Sequence, residues 1–169
     1  MVVSLLIMKK NQAGFTLAEV LVTVTIISTI GAIAFPIYTR NLTRANQNTA
    51  KASVASIQAV ITAFIDETGS LPKSWEDLNS IAAIMKANSD GIAEIAKSAG
   101  LEEIILPGNT YKLNINPPSD TNTIYTITAT PTNNADANYD IKSCIDASNG
   151  ASDMTEGSKD AAAIQPNCS

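Results

Sequence analysis

From Phe15 to Ile37 run 23 residues with a single ionisable side chain, Glu19. As a helix rising about 1.5 Å per residue, such a stretch crosses a hydrocarbon core of roughly 30 Å. Lys9 and Lys10 precede it, and Arg40 and Arg44 follow it. The run is rich in β-branched residues, but its length and flanking charges favour helix over strand. Glu19 sits five residues into this run. A carboxylate at mid-bilayer costs on the order of 2.5 to 3.5 kcal/mol, so an acid kept in such a place marks function.

Setting this run aside leaves room for one modest folded domain. Tyr38 to Asp66 continues as an amphipathic helix. Val54, Ile57, Ile61 and Phe64 form one stripe for a core, and Ala52, Ala55, Ala59 and Ala63 form a second stripe of small residues. Arg40, Arg44 and Lys51 mark a wet side. A helix from Phe15 to Asp66 would have 52 residues and measure about 78 Å. Gly31 and Pro36 weaken the last turns of the apolar half, because proline removes a backbone donor and crowds the preceding turn. Gly69 stops the helix.

Ser74 to Asp77 has the spacing of a capping box, with Ser74 as N-cap. Leu78, Ile81, Ala82, Ile84 and Met85 then follow at roughly helical spacing. Asn88 to Gly91 breaks the run, and Ile92 to Ala99 reads as a second short helix closed by Gly100. Leu101 to Leu106 is a brief strand or a last turn. Tyr111, Leu113 and Ile115 alternate with Lys112, Asn114 and Asn116, a strand with one wet face. Pro117 to Asp120 is a turn. Ile124 to Thr130 is a second strand, Pro131 to Asn138 a polar turn, and Asn138 to Cys144 a third strand. Three antiparallel strands need a lid, and the long helix supplies one. The fold class is α+β.

Lys9-Lys10-Asn11-Gln12-Ala13-Gly14, then Phe15-Thr16-Leu17-Ala18-Glu19, then the apolar run, resembles the class III signal of type IV pilins and pseudopilins. The likeness is specific over Lys9 to Pro36 and loosens toward Pro72. It implies a leader over 1–14, a membrane and filament-core helix over 15–37 and a globular head over 38–169. It implies cleavage after Gly14 by a prepilin peptidase, N-methylation of Phe15, and an assembly role for Glu19 as partner of the Phe15 amine on a neighbouring copy. It also implies that the helix near Gly31 and Pro36 kinks or melts in a filament. Partners would be identical subunits, the peptidase, the assembly machinery and the inner membrane. The destination would be a surface filament serving adhesion, twitching motility or DNA uptake. Met1 to Ile7 departs from the short basic leaders of that family, and a start at Met8 would restore the usual form. Alternatives are a type II secretion pseudopilin and a monomeric membrane-anchored or secreted module. For the last, Ala32-Ile33-Ala34 offers an ordinary signal-peptidase site, although the apolar run is long for such a signal and Glu19 would be unexplained.

In an exported chain, Cys144 and Cys168 read as one structural disulfide. Closing that loop constrains the polar, acidic stretch from Asp146 to Asn167, which alone would be nearly disordered. Asp146, Asn149, Asp153, Glu156 and Asp160 are weak calcium candidates, since hard cations want several oxygens. Their spacing is not that of an EF-hand, and a solvated acidic loop is the simpler reading. The chain has 11 basic and 16 acidic residues and no histidine. Loss of Lys9 and Lys10 would leave 9 basic against 16 acidic, a net charge of −7. That balance argues against strong nucleic-acid binding. Phosphate loops, nucleophile elbows and paired catalytic acids are missing, so the sequence offers no basis for an enzyme or a cofactor. Trp75 and the tyrosines are scattered, which argues against an electron-conducting ladder. Asn41-Leu42-Thr43 and Asn167-Cys168-Ser169 match glycosylation sequons, a pattern common by chance.

Overall fold

A computed structural model describes residues 14–119 and 122–168. Most of the leader, with Lys9, Lys10 and the alternative start at Met8, lies outside the described residues. So do Asp120 of the expected turn and Ser169 of the second sequon. The chain divides into two units, Met1–Arg40 and Asn41–Ser169.

In the first unit the helix α1 (Leu17–Thr68) begins. Every described side chain of this unit is exposed. The hydroxyls inside the apolar run are bonded back to their own helix. Thr23 Oγ1 donates to Val20 O at 2.8 Å, Thr25 Oγ1 to Leu21 O at 2.8 Å and Ser28 Oγ to Val24 O at 2.7 Å. Such bonds let a helix carry Thr and Ser without asking the surroundings for water. Gly31 and Pro36, where the turns are expected to be weak and to kink or melt in a filament, lie within α1 in the single chain. Proline deletes one backbone bond, and the bonds on either side of it still hold the turn.

The second unit is built on the rest of α1. Gln47, Ala50, Val54, Ile57, Val60, Ile61 and Phe64 are its buried residues. The apolar stripe expected from spacing is therefore the buried one, while Ala52, Ala55 and Ala59 face outward. Gly69, at φ 67°, ends the helix, and its N–H donates to Ile65 O at 2.8 Å. Positive φ is nearly free for glycine, which makes it the usual residue at this position.

Helix α2 (Trp75–Ile81) opens with the expected capping box. Asp77 N–H donates to Ser74 Oγ at 3.1 Å, and Asp77 Oδ2 accepts from Ser74 N at 3.0 Å. The helix is shorter than its apolar spacing implied. Asn79 intervenes: its amide donates to Ala96 O at 2.5 Å, and its carbonyl accepts from Ile84 N at 2.7 Å. These bonds hold residues 84 and 96 in an extended hairpin, β1 (Met85–Ala87) against β2 (Ala93–Ile95). The second short helix expected over Ile92 to Ala99 is thus a strand. Asn88 turns the chain by accepting from both Asp90 N and Ile92 N, with Gly91 at φ 78° completing the turn.

Among the described residues the main sheet has five strands, where three were expected together with a brief strand or turn over Leu101 to Leu106. All neighbours are antiparallel, in the order β3 (Ile104–Ile105), β4 (Tyr111–Asn116), β5 (Ile124–Pro131), β6 (Ile141–Asp146) and β7 (Ser152–Glu156). The polar turn after β5 contains a 3-10 helix, Asn134–Tyr139, so β6 starts later than expected. Along β4 and β5, burial alternates with period two. Leu113, Ile115, Tyr125, Ile127, Ile141 and Ile145 form one core with Val54, Ile57 and Ile61 of α1. Tyr125 donates its hydroxyl to Pro72 O and Tyr111 donates to Tyr139 O, both at 2.8 Å. Burial pushes both phenols up to about 12, aided at Tyr125 by Asp77 and at Tyr111 by Asp136 and Asp140.

Candidate functional site

The start of α1 concentrates the sequence-derived candidates. Gly14 is exposed, and a Cβ built there would meet nothing within 4 Å. Phe15 is 87% exposed. Helix α1 begins two residues later, so Thr16 is its N-cap and Glu19 its third residue. Thr16 N–H donates to Glu19 Oε2 at 2.8 Å, and Thr16 Oγ1 donates to the same oxygen at 2.8 Å. Glu19 N–H approaches Thr16 Oγ1 at 3.3 Å. This is a second capping box, which satisfies two backbone donors that a helix start otherwise leaves open. Glu19 Oε1 makes no hydrogen bond among the described residues. Beyond this cap, α1 is long and apolar enough to cross a membrane, with an 18-residue window of mean hydropathy 2.2.

Residues 9–35 match the prokaryotic N-terminal methylation motif. No curated protein and no solved structure matches the chain. The motif supports a class III signal of the type IV pilin or pseudopilin kind. It spans Gly14, Phe15, Glu19 and Gly31 and ends just short of Pro36. With the apolar helix, it points to membrane anchoring of the precursor.

Thr16 was not singled out from the sequence as a site residue. Its signal was present, because Thr16-Leu17-Ala18-Glu19 has the same spacing as the capping box at Ser74 to Asp77.

At the other end of the chain, Cys144 and Cys168 form a disulfide with Cα atoms 6.0 Å apart, and both residues are buried. The bond pins the tail to β6. Further links hold the same segment. Ala163 N–H donates to Asp140 Oδ1 at 2.7 Å, Lys142 Nζ to Ala163 O at 2.9 Å, Thr155 Oγ1 to Ile164 O at 2.6 Å and Asn167 N–H to Asp153 Oδ2 at 2.8 Å. Gln47 of α1 joins this knot, donating to Gly157 O at 2.8 Å. Gly157 admits no side chain, for a Cβ there would lie 1.8 Å from Asn138 O.

The calcium candidates are not brought together. Asp146 accepts from Thr123 Oγ1 at 2.6 Å and from both N and Oγ of Ser148. These bonds hold its carboxyl below the usual carboxylate range. Asp153 binds Asn167 N–H, and Glu156 pairs with Lys51 at 2.8 Å. Among the described residues no three acidic, histidine or cysteine side chains gather as a metal site. Asn41 and Thr43 of the first sequon lie inside α1, where Thr43 Oγ1 reaches Asp136 Oδ1 at 3.4 Å.

Proposed function

We propose that this chain is the structural subunit of a type IV pilus, held in the inner membrane as a precursor and assembled into a surface filament by packing of its N-terminal helix. The observation that carries this reading is the first half of α1, apolar on every side and bonded only to itself. A bilayer covers it in the precursor, and copies of the same helix cover it in the filament. Burial is worth about 25 cal/mol per Å² of apolar surface. The membrane already shelters that surface, so the net gain is modest and an energy-driven machine is needed.

In this reading a prepilin peptidase cuts after Gly14, and Phe15 is methylated on its new amine. The Thr16–Glu19 box survives the cut, because the Phe15–Thr16 amide is untouched. Glu19 Oε1 is left to receive the Phe15 amine of a neighbouring subunit. A subunit docked out of register strands a charge in an apolar core, so the pair selects position. Gly31 and Pro36 supply the weak turns at which the helix adjusts on assembly. The disulfide-closed tail supports a pilus over a secretion piston. The filament's task is adhesion, motility or DNA uptake.

The intact unreduced mass of the cellular protein is the first test. A chain beginning at Phe15, heavier by one methyl group and lighter by two hydrogens, is expected. A chain beginning at Phe35 would overturn the reading and leave a secreted module. Glu19→Ala is then expected to abolish surface fibres while the chain is still cut. Wild-type cells that mature the chain and make no fibres, but lose protein secretion on Glu19→Ala, would turn the assignment to a pseudopilin.

A further inference from the structure

Within the second unit, an open groove of about 320 Å³ runs between α1 and the segment that follows β7. Its walls carry Arg44, Asn48, Ser158 and Lys159, over a floor of Gln47, Tyr139 and Gly157. Arg44, Asn48, Ser158 and Lys159 are exposed, and their side chains make no hydrogen bond or ion pair among the described residues. Glu156 is the one carboxylate in the lining, and Lys51 neutralises it at 2.8 Å. The floor is fixed rather than adaptable. Gln47 donates to Gly157 O, Gly157 N–H donates to Asp140 O at 2.8 Å, and no side chain fits at Gly157. Two idle cations, an amide and a hydroxyl thus converge on a rigid hollow in a chain whose net charge is −5.

That donor set suits a phosphate oxyanion. Guanidinium and ammonium supply charge-assisted bonds, and the amide and hydroxyl add neutral ones. A divalent cation would find one acid, already paired. In sequence Arg44 follows the last residue of the apolar run, Ile37, by seven positions, a tether of at most about 25 Å. A group so tethered works at the headgroup layer. There anionic headgroups attract basic side chains.

We infer that the groove between Arg44 and Lys159 binds the phosphate of an anionic lipid headgroup while the precursor waits in the membrane. The inference rests on the membrane-held precursor proposed above. Its occupant differs from the filament contacts, so the site is filled before extraction and empties when the subunit leaves the bilayer.

Nitrogen-15 NMR of the full chain in phosphatidylcholine bicelles tests this. Partial replacement by phosphatidylglycerol is expected to shift the Arg44 Nε and the Asn48, Ser158 and Lys159 amide signals in a saturable way. In Arg44→Gln/Lys159→Gln the response at the Asn48 and Ser158 amides should weaken about tenfold, with the rest of the spectrum unmoved because both side chains are exposed. No shift at these signals overturns the site. Equal shifts from inorganic phosphate in phosphatidylcholine alone would overturn the lipid as its occupant. Shifts that follow protein concentration and ignore lipid would overturn it in favour of contact between copies. None of these readouts depends on cleavage or fibres, whereas the mass and fibre tests do not depend on the groove.

Discussion

Residues 17–40 and residues 41–68 belong to one helix, yet the first stretch buries none of its side chains and the second buries seven. The first is apolar all round and turns its few hydroxyls inward onto its own carbonyls. The second is apolar along one stripe and spends its polar side chains on the head, as Gln47 does with Gly157 O and Gln58 with Cys144 O at 3.2 Å. A helix without a polar face has no preferred side and asks for a surrounding medium. A striped helix asks for one particular partner. Assembly and head stability should therefore be separable by mutation, and a substitution that moves both at once would break this division.

The largest effect on the head alone is expected from Gly157→Ala. Its Cβ meets backbone at Asn138 O, which cannot yield as a flexible side chain could. A loss of about 3 kcal/mol is expected by denaturant unfolding of the full chain in detergent micelles. A loss below about 1 kcal/mol would show that the tail is looser than the knot implies. The paired Cys144→Ser/Cys168→Ser change is expected to cost a similar amount, about 3 kcal/mol, through the freed unfolded chain. The two losses should not add fully, because both act on the same tail.

Alkaline pH should act on the head and spare the apolar half. Tyr111 and Tyr125 both titrate near 12 when folded, against about 10 when unfolded. Below pH 10 their contribution is complete. It declines as pH rises from 10 through 12, where the unfolded chain gives up protons that the folded one keeps. Denaturant midpoints measured across that range should fall, and Tyr125→Phe should flatten the slope. The acid side has the opposite sign. Asp77, held low chiefly by Lys73 N–H, and Asp146, held low chiefly by Thr123, stabilise above the usual carboxylate pKa. That help fades as pH drops through their lowered values.

The smallest effect has the opposite direction. Ser143 is 1% exposed and its Oγ has no hydrogen-bond partner among the described residues. Ser143→Ala removes a buried hydroxyl that gains nothing, so a rise of about 1 kcal/mol is expected in the same unfolding assay. A fall would mean that the hydroxyl has found a partner through motion.

Much of this architecture is legible in the chain itself. The apolar run, the stripe from Val54 to Phe64, the stop at Gly69, the Ser74 cap and the alternation in β4 are local signals, each set by neighbours within a few residues. The misread parts depend on contacts far apart in sequence. The stretch 92–99 has the spacing of a helix, but Asn79 and Asn88 bind its backbone from 17 residues and four residues away. The strand β7 carries little apolar pattern, with two polar residues at its start and two at its end. Its place comes from pairing with β6 and from the disulfide. At the candidate site, Glu19 stands out by its rarity in an apolar run, whereas its bond to Thr16 shows in the sequence only as a three-residue spacing. The groove at Arg44 could not be read at all, because it joins residue 44 to residue 159.

The tail that follows β7 also shields the sheet from pairing with other chains. An outer strand with open backbone groups invites another chain to add beside it, and a crowded membrane raises that hazard. Here the outer strand is latched by Thr155 to Ile164, by Asp153 to Asn167 and by the disulfide one strand further in. The opposite margin, β3, is two residues long. Edge-to-edge pairing, a route to irreversible aggregates, is thus guarded against at both margins of the sheet.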